Sequence, residues 1–445
     1  MEQDFLLSDV KSTYRKLCPA VIMSMLTATV TSLVDILILS MFLGSDMISA
    51  VSVCMPIYLL LNALALLISA GAATVYAFYI GQENKAESNR YYSVALSITL
   101  LTGGALMVWG VADTPNIVRI LGANDAIFDI TQQYAGVLVW FVIPLMLYGM
   151  MLFFVRYDGE PSLVVAGTLV CGGSNVVMDL LFVGPFNWGP WGAALATCLA
   201  YVLGLLVMLS HFIKKKNTLH YSLSSFTFAR AVRSLKAGFP LSIAQFGMAA
   251  ATMVFNIVII RMGGEDLVAV YAVVTQVSLI ALAFYEGVAQ AGQPILSASF
   301  GAGNLGRARE VLRAGFRYEA VVTLMCMAVY LLGAPLIARA FSITREPLLG
   351  TTLQAIRAYS LAIPVTGINV LILYYFQSQE RTIYSTAIAL LHSTAFMILG
   401  LLLLVGLFGK AGIWWSWLLA EAATLLISVP LLRFARKKEE AESTC

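Results

Sequence analysis

The chain has 445 residues, of which 60% are hydrophobic and only 11% charged, and its formal net charge is +3. Soluble domains run at about 45–50% apolar and about 25% charged residues, so a soluble protein of this length could not cover so much apolar surface. That apolar content excludes disorder, the weak and dispersed positive balance excludes a nucleic-acid binder, and what remains is an all-α membrane protein with many spans.

A spanning helix needs about 20 mostly apolar residues. In chain order such runs are predicted at 16–43, 47–80, 92–112, 129–153, 161–183, 190–213, 237–260, 267–299, 316–338, 352–377, 383–408 and 411–433, twelve in all. The first follows a polar segment, 1–15; it is too long for a signal-peptide core and has no small-residue cleavage site, so it is expected to remain as the first transmembrane helix. This divides the chain into a six-helix bundle over 16–213, a polar linker over 214–236, a second six-helix bundle over 237–433 and a tail over 434–445. Of the 27 Lys and Arg, all but Arg119, Arg261, Arg339, Arg345, Arg357 and Lys410 fall on the side of the termini and the linker. Basic residues accumulate on the cytoplasmic side, so both termini and the linker are expected there. Six cysteines without a C-x-x-C pair point to neither a disulfide framework nor a zinc site, and no cofactor is expected.

The halves match at a constant offset of 220. Gly44 pairs with Gly264, Asp46 with Asp266, Gly81 with Gly301, Asn84 with Asn304, Ile143-Pro144 with Ile363-Pro364, Glu160 with Glu380, and Gly189 and Gly192 with Gly409 and Gly412. These are turn and kink residues in conserved order, rather than chance identities among apolar residues. Six helices per copy give the two copies one orientation, with the pseudo-axis along the membrane normal, an arrangement typical of secondary transporters. A duplicated channel or scaffold would carry the same repeat.

Ionisable residues at mid-membrane cost at least about 2.5–3.5 kcal/mol on insertion scales and are functional candidates by default. Asp35, Asp179, Glu286 and Glu421 lie well inside predicted spans, and no Lys or Arg lies equally deep. A carboxyl without a cation in low dielectric favours its neutral, proton-carrying form. Asp35 and Asp179 follow Pro19 and Pro161 by 16 and 18 residues on helices of the same direction, which puts both in the outer half of the bilayer. Asn175 precedes Asp179 by one turn, and Tyr134 and Thr197 on inward-running helices reach a similar depth. Two acids, an amide, a hydroxyl and a phenol form a suitable shell for H⁺ or a small cation.

The second half lacks the counterpart: the matching positions read Phe255 and Asn256, and Ala395 to Leu399. Ion binding is therefore expected in the first bundle alone. Glu286 and Glu421, near Gln290, Gln293 or Ser416, form a secondary polar site that either holds helices together or has a function of its own. His392, alone on an apolar helix, reads as structural. Trp414, Trp415 and Trp417 beside Lys410 read as interfacial anchors.

Pro19, Val34-Asp35-Ile36, Gly44, Gly71-Ala72-Ala73, Gly81, the Asn175 to Asp179 stretch, Gly189 to Thr197, Gly238-Phe239-Pro240, Gln293-Pro294 and Gly301 to Asn304 together resemble the multidrug and toxic compound extrusion (MATE) transporters, over almost the whole chain. The resemblance implies two six-helix bundles and export of drugs or organic cations across a bacterial-type inner membrane by a monomer, in exchange for H⁺ or Na⁺. In the branch with the helix-1 Asp and helix-5 Asn-xxx-Asp, it implies a cation site at Asp35, Asn175, Asp179, Tyr134 and Thr197. Another branch uses a Glu in helix 7, where this chain has only Gln245 and Asn256. The segment after helix 4 also departs from the family pattern, as Arg156 to Glu160. The alternative reading is a flippase for lipid-linked precursors, whose diphosphate substrate calls for Arg or Lys facing the cavity; none is evident. A membrane enzyme is not expected, since no metal cluster, acid–base pair at active-site spacing or phosphate loop is present.

Overall fold

The computed structural model describes residues 9–213, 217–341 and 343–444, so Lys214, Lys215 and Lys216 of the expected linker lie outside the described residues. Among the described residues eleven helices are long and apolar enough to cross a membrane, and a bent pair makes a twelfth if counted as one span. They are α1 (Val10–Leu43), α2 (Ser49–Gly81), α3 (Lys85–Ile120), the pair α4 (Phe128–Trp140) and α5 (Val142–Tyr157), α6 (Pro161–Val183), α7 (Gly189–Ile213), α8 (Phe228–Gly264), α9 (Asp266–Gly301), α10 (Leu305–Ala340), α11 (Leu348–Ser378), α12 (Thr382–Phe408) and α13 (Lys410–Ala441). No strand occurs among the described residues. Most helices run past the apolar windows: α10 begins at Leu305 and α8 at Phe228, because backbone hydrogen bonding continues into the polar turns where hydropathy has already fallen.

The repeat is written into local geometry. Asn84 and Asn304 each cap a helix, accepting at Oδ1 from the amide of Glu87 (3.0 Å) and of Arg307 (2.9 Å). Glu83 and Gly303, just before them, both have positive φ, as do Gly189 and Gly409 at the starts of α7 and α13. The proline pair behaves differently. Pro144 cannot donate to the carbonyl of Trp140, and the chain turns by 57° between α4 and α5 at Phe141. Pro364 sits inside unbroken α11, which is buried along most of that stretch.

The chain forms two compact units, Pro19–Ser242 and Ile243–Cys445, the second joined by residues 9–18. This grouping differs from boundaries at 213/214 and 236/237. In the first unit, Asp158 accepts from the amide of Thr218 (2.9 Å) and its Oδ2 lies 2.6 Å from His211 Nε2, while Arg230 Nε donates to Glu87 (2.7 Å). These bonds hold residues 217–230 against the first bundle. In the second unit, Tyr14 stacks on Tyr318 at 5.0 Å and its hydroxyl donates to the Val288 carbonyl at 2.7 Å, which explains why the start of α1 belongs there.

Small residues set the helix crossings. A Cβ on Gly71 would stand 2.1 Å from the Ser234 carbonyl oxygen, and one on Gly238 would stand 2.0 Å from that of Leu67, so α2 and the start of α8 touch backbone to backbone. Gly71→Ala should therefore destabilise the first unit by about 1–3 kcal/mol through overpacking. A lowered midpoint in thermal unfolding of the detergent-purified protein would show it; an unchanged midpoint would contradict the crossing.

Candidate functional site

The first-unit site is assembled by two close helix contacts. Gly167 on α6 and Gly204 on α7 meet face to face, each Cβ position lying within 3.1 Å of the other's carbonyl oxygen. Following this antiparallel register along the two helices brings Asn175 opposite Thr197, and Asn175 Nδ2 donates to Thr197 Oγ1 at 3.4 Å. On its other side α6 packs against α1: Thr168 Oγ1 donates to Ser24 Oγ at 3.4 Å, and a Cβ on Gly172 would meet Thr31 Oγ1 at 2.3 Å. One turn beyond Thr31 stands Asp35, and two turns beyond Gly172 stands Asp179. The parallel run of α1 and α6 thus places the two carboxyls beside each other, with Asn175 next to Asp179.

Asp179 is wholly buried and Asn175 is 4% exposed. Both Asp179 carboxyl oxygens and Asp35 Oδ1 lack a well-formed hydrogen bond among the described residues. Tyr134, buried on α4, lies within electrostatic reach of Asp35, and its hydroxyl is 3.2 Å from that of Tyr58 on α2. Tyr201 on α7 also lies within electrostatic reach of Asp35. All five expected residues, Asp35, Asp179, Asn175, Thr197 and Tyr134, meet in one place. Tyr58 and Tyr201 are additions whose apolar surroundings offered no sequence signal.

Adjacent carboxyls in a buried, cation-poor site cannot both stay ionised.

The second unit arranges its acids differently. Glu421 on α13 is wholly buried and surrounded by donors: Asn369 Nδ2 reaches Oε2 at 2.8 Å, Trp417 Nε1 reaches Oε1 at 3.0 Å, and His392 Nδ1 lies 2.7 Å from Oε1. Ser428 donates to Asn369 Oδ1 at 2.8 Å, fixing that amide. Glu286 on α9 is within electrostatic reach of His392, and Gln290 Nε2 lies 3.5 Å from Glu286 Oε2 and 3.3 Å from the Tyr374 hydroxyl. Glu286, Gln290 and Glu421 do form a polar site, but the partners differ from those expected. Ser416 donates to its own helix at Ile413, and Gln293 donates to Gln377 at 3.1 Å. His392 is not isolated on an apolar face; its Nδ1 lies 2.7 Å from Glu421 Oε1. Trp417 is no interfacial anchor either, since its indole N–H turns inward to Glu421.

Glu319 on α10 is a buried acid that sequence reading passed over, because it sits near the edge of its apolar run. It is 3% exposed, neither carboxyl oxygen has a hydrogen-bond partner among the described residues, and a Cβ on Gly367 would stand 2.9 Å from its Oε2. At the Phe255 position the second unit has an aromatic stack with Tyr271 at 5.4 Å in place of an acid.

Comparison with known proteins follows the fold. A sequence profile of the MatE family matches residues 20–181 and 240–403. The multidrug export protein MepA of Staphylococcus saprophyticus is 25% identical over 410 residues, 90% of this chain and 89% of that one. MepA of Staphylococcus aureus strain N315 is 23% identical over 419 residues, 93% of this chain and 91% of the relative. Among solved structures, the outward-facing conformation of a multidrug resistance MATE family transporter of the MOP superfamily superposes with a TM-score of 0.92 over 100% of this chain and 99% of that one, at 21% identity. A MOP superfamily transporter from Pyrococcus furiosus, described as having a binding pocket of reversed polarity, gives 0.90 over 98% of both chains, also at 21%.

The donor shell of Glu421 makes Asn369 a sensitive position. Asn369→Leu removes the donor to Oε2 and leaves a buried charge incompletely solvated, which should cost about 1–3 kcal/mol of stability. Thermal unfolding of the variant should show a clear drop, and wild-type stability would mean that the amide does not support the carboxylate.

Proposed function

The chain belongs to the MATE family, and we propose that it is a secondary active transporter that exports organic cations and other drugs in exchange for H⁺ or Na⁺. The family is one of membrane transporters rather than enzymes, and the staphylococcal relatives carry multidrug export in their names. The observation that carries the coupling is the Asp35–Asp179 pair: two neighbouring carboxyls, buried, with incomplete hydrogen bonding and no Lys or Arg partner among the described residues.

In this reading H⁺ or the cation occupies the pair, relieves the repulsion of the two carboxylates, and draws α1 onto α6. Loss of the ion restores the repulsion and favours the other packing. A ligand shifts such an equilibrium only by its differential affinity for the two states, and a site whose charge changes by a full unit in a buried setting has a large one. Drug and ion are then linked because each prefers a different one of the two states of alternating access between the bundles. The protein works as a monomer in a bacterial-type inner membrane with both termini cytoplasmic, in keeping with the basic residues on that side. An acidic interior without paired cations suits cationic or neutral substrates better than the anionic headgroup of a lipid-linked precursor.

Proteoliposomes loaded with a fluorescent organic cation test the reading. Asp35→Asn and Asp179→Asn should each abolish gradient-driven efflux, whereas Thr197→Val, which removes only the Asn175 acceptor, should slow it. Imposing a pH gradient and a Na⁺ gradient separately identifies the coupling ion. Undiminished efflux by Asp35→Asn would remove that residue from the mechanism.

A further inference from the structure

The second unit holds a titratable centre that the first-unit mechanism does not use. His392 lies in a single π-helical turn, Leu391–Ala395, within α12. Such turns shift side chains out of the regular helical register and recur at functional sites. From this turn His392 Nδ1 lies 2.7 Å from Glu421 Oε1. The side chain of Glu421 is fully buried while that of His392 keeps 13% exposure, so the ring stands against the carboxylate with an edge that is not sealed.

The ionisable groups around this centre are few. From α9 comes Glu286, within electrostatic reach of the ring; from α13 comes Glu421. From α11 come Tyr359, which packs on Trp417 at 5.0 Å, and Tyr374, which is bonded to Gln290. Helix α8 approaches α12 where Gly247 faces Ser393 and Thr394, and it carries no ionisable residue between Lys236 and Arg261. Helix α10 brings Glu319, which faces Gly367 and Tyr285. An imidazole between two carboxylates is thus the one basic group in its surroundings among the described residues.

A buried polar file leads away from it. Gln290 donates to Tyr374, Gln293 donates to Gln377 at 3.1 Å, and Gln379 and Tyr375 both donate to Glu439, at 3.0 and 3.2 Å. Glu439 in turn lies 3.6 Å from Arg381. From Asn369 to Gln379 the file climbs about 15 Å of α11 at 1.5 Å per residue, ending at the Lys- and Arg-rich end of the unit. Amides do not carry protons, but a file of them supplies the two to four polar partners that entering water needs.

We propose that His392, held by Glu421 and faced by Glu286, is a proton-exchange site of the second unit, reached from the Arg381 end and separate from the Asp35–Asp179 pair. The proton joins the lone pair of Nε2 while Nδ1–H stays on Glu421. The resulting imidazolium is balanced by the two carboxylates, and release returns the neutral ring with no other bond made or broken. Asn369 and Trp417 each donate to one Glu421 oxygen and the imidazole stands against Oε1, so the oxygens that a metal cation would need are already taken and the occupant is H⁺ rather than Na⁺.

The chain has only three histidines, His211, His220 and His392, so selective ¹⁵N-histidine NMR of the protein in nanodiscs reads the site directly. His392→Gln assigns the signal by its loss. Between about pH 5 and 8, where imidazoles exchange protons, the His392 ring resonances should move from charged to neutral positions. That transition should shift its midpoint in both Glu421→Gln and Glu286→Gln. Constant ring shifts across the range, or a transition unaltered in both carboxylate variants, would overturn the proposal. The NMR arm is independent of the transport reading. In the transport arm, which rests on the function proposed above, His392→Gln should lower the H⁺ counted per drug molecule in proteoliposomes. Normal efflux by Asp35→Asn would sink the first-unit reading and leave the NMR result standing, whereas an unchanged H⁺ count would confine coupling to the first unit and overturn a transport role for His392.

Discussion

A carboxyl group inside an apolar helix bundle can persist in two ways: charged, with donors or cations around it, or neutral, holding a proton. Much of this protein's interior is arranged around that constraint, and its two units meet it differently. Glu421 has an amide and an indole donating to its two oxygens and an imidazole 2.7 Å away, a carboxyl surrounded by polar groups. Asp179 has neither oxygen well bonded and a second carboxyl beside it.

The glycine contacts exist in the service of these positions. The paired approach of Gly167 and Gly204, and of Gly172 to Thr31, brings α1, α6 and α7 closer than larger residues would allow. In a bilayer, where helices gain nothing from hiding apolar surface from water, such small-residue contacts supply the packing energy that holds helices together.

Duplication supplied the frame and divergence the interior. The caps at Asn84 and Asn304, and the positive-φ glycines at Gly189 and Gly409, still superimpose in kind as well as in number. The polar centres do not: where α6 carries Asn175 and Asp179, α12 carries a π-helical turn with His392, and its carboxylate partner comes from α13. Turn and cap geometry is set by one or two residues and resists change. Interior polar groups can move from helix to helix, provided that each remains satisfied.

The sequence alone determined the all-helical membrane class, the twelve spans and the 220-residue repeat, because hydropathy and turn chemistry are sums over neighbouring residues. It also singled out Asp35, Asn175 and Asp179, since a charge in an apolar run stands out whatever surrounds it. Tertiary structure alone decided the rest. The span with Pro144 breaks and bends by 57° while Pro364 leaves α11 unbroken, a difference that the matching Ile-Pro pairs do not foretell. Trp417 points to Glu421 rather than to the membrane surface, and the bond from Asn369 to Glu421 joins residues 52 apart in the chain. Which acid meets which donor depends on the rotation of each helix about its axis. That rotation is fixed by contacts between segments distant in sequence, and no local window contains it.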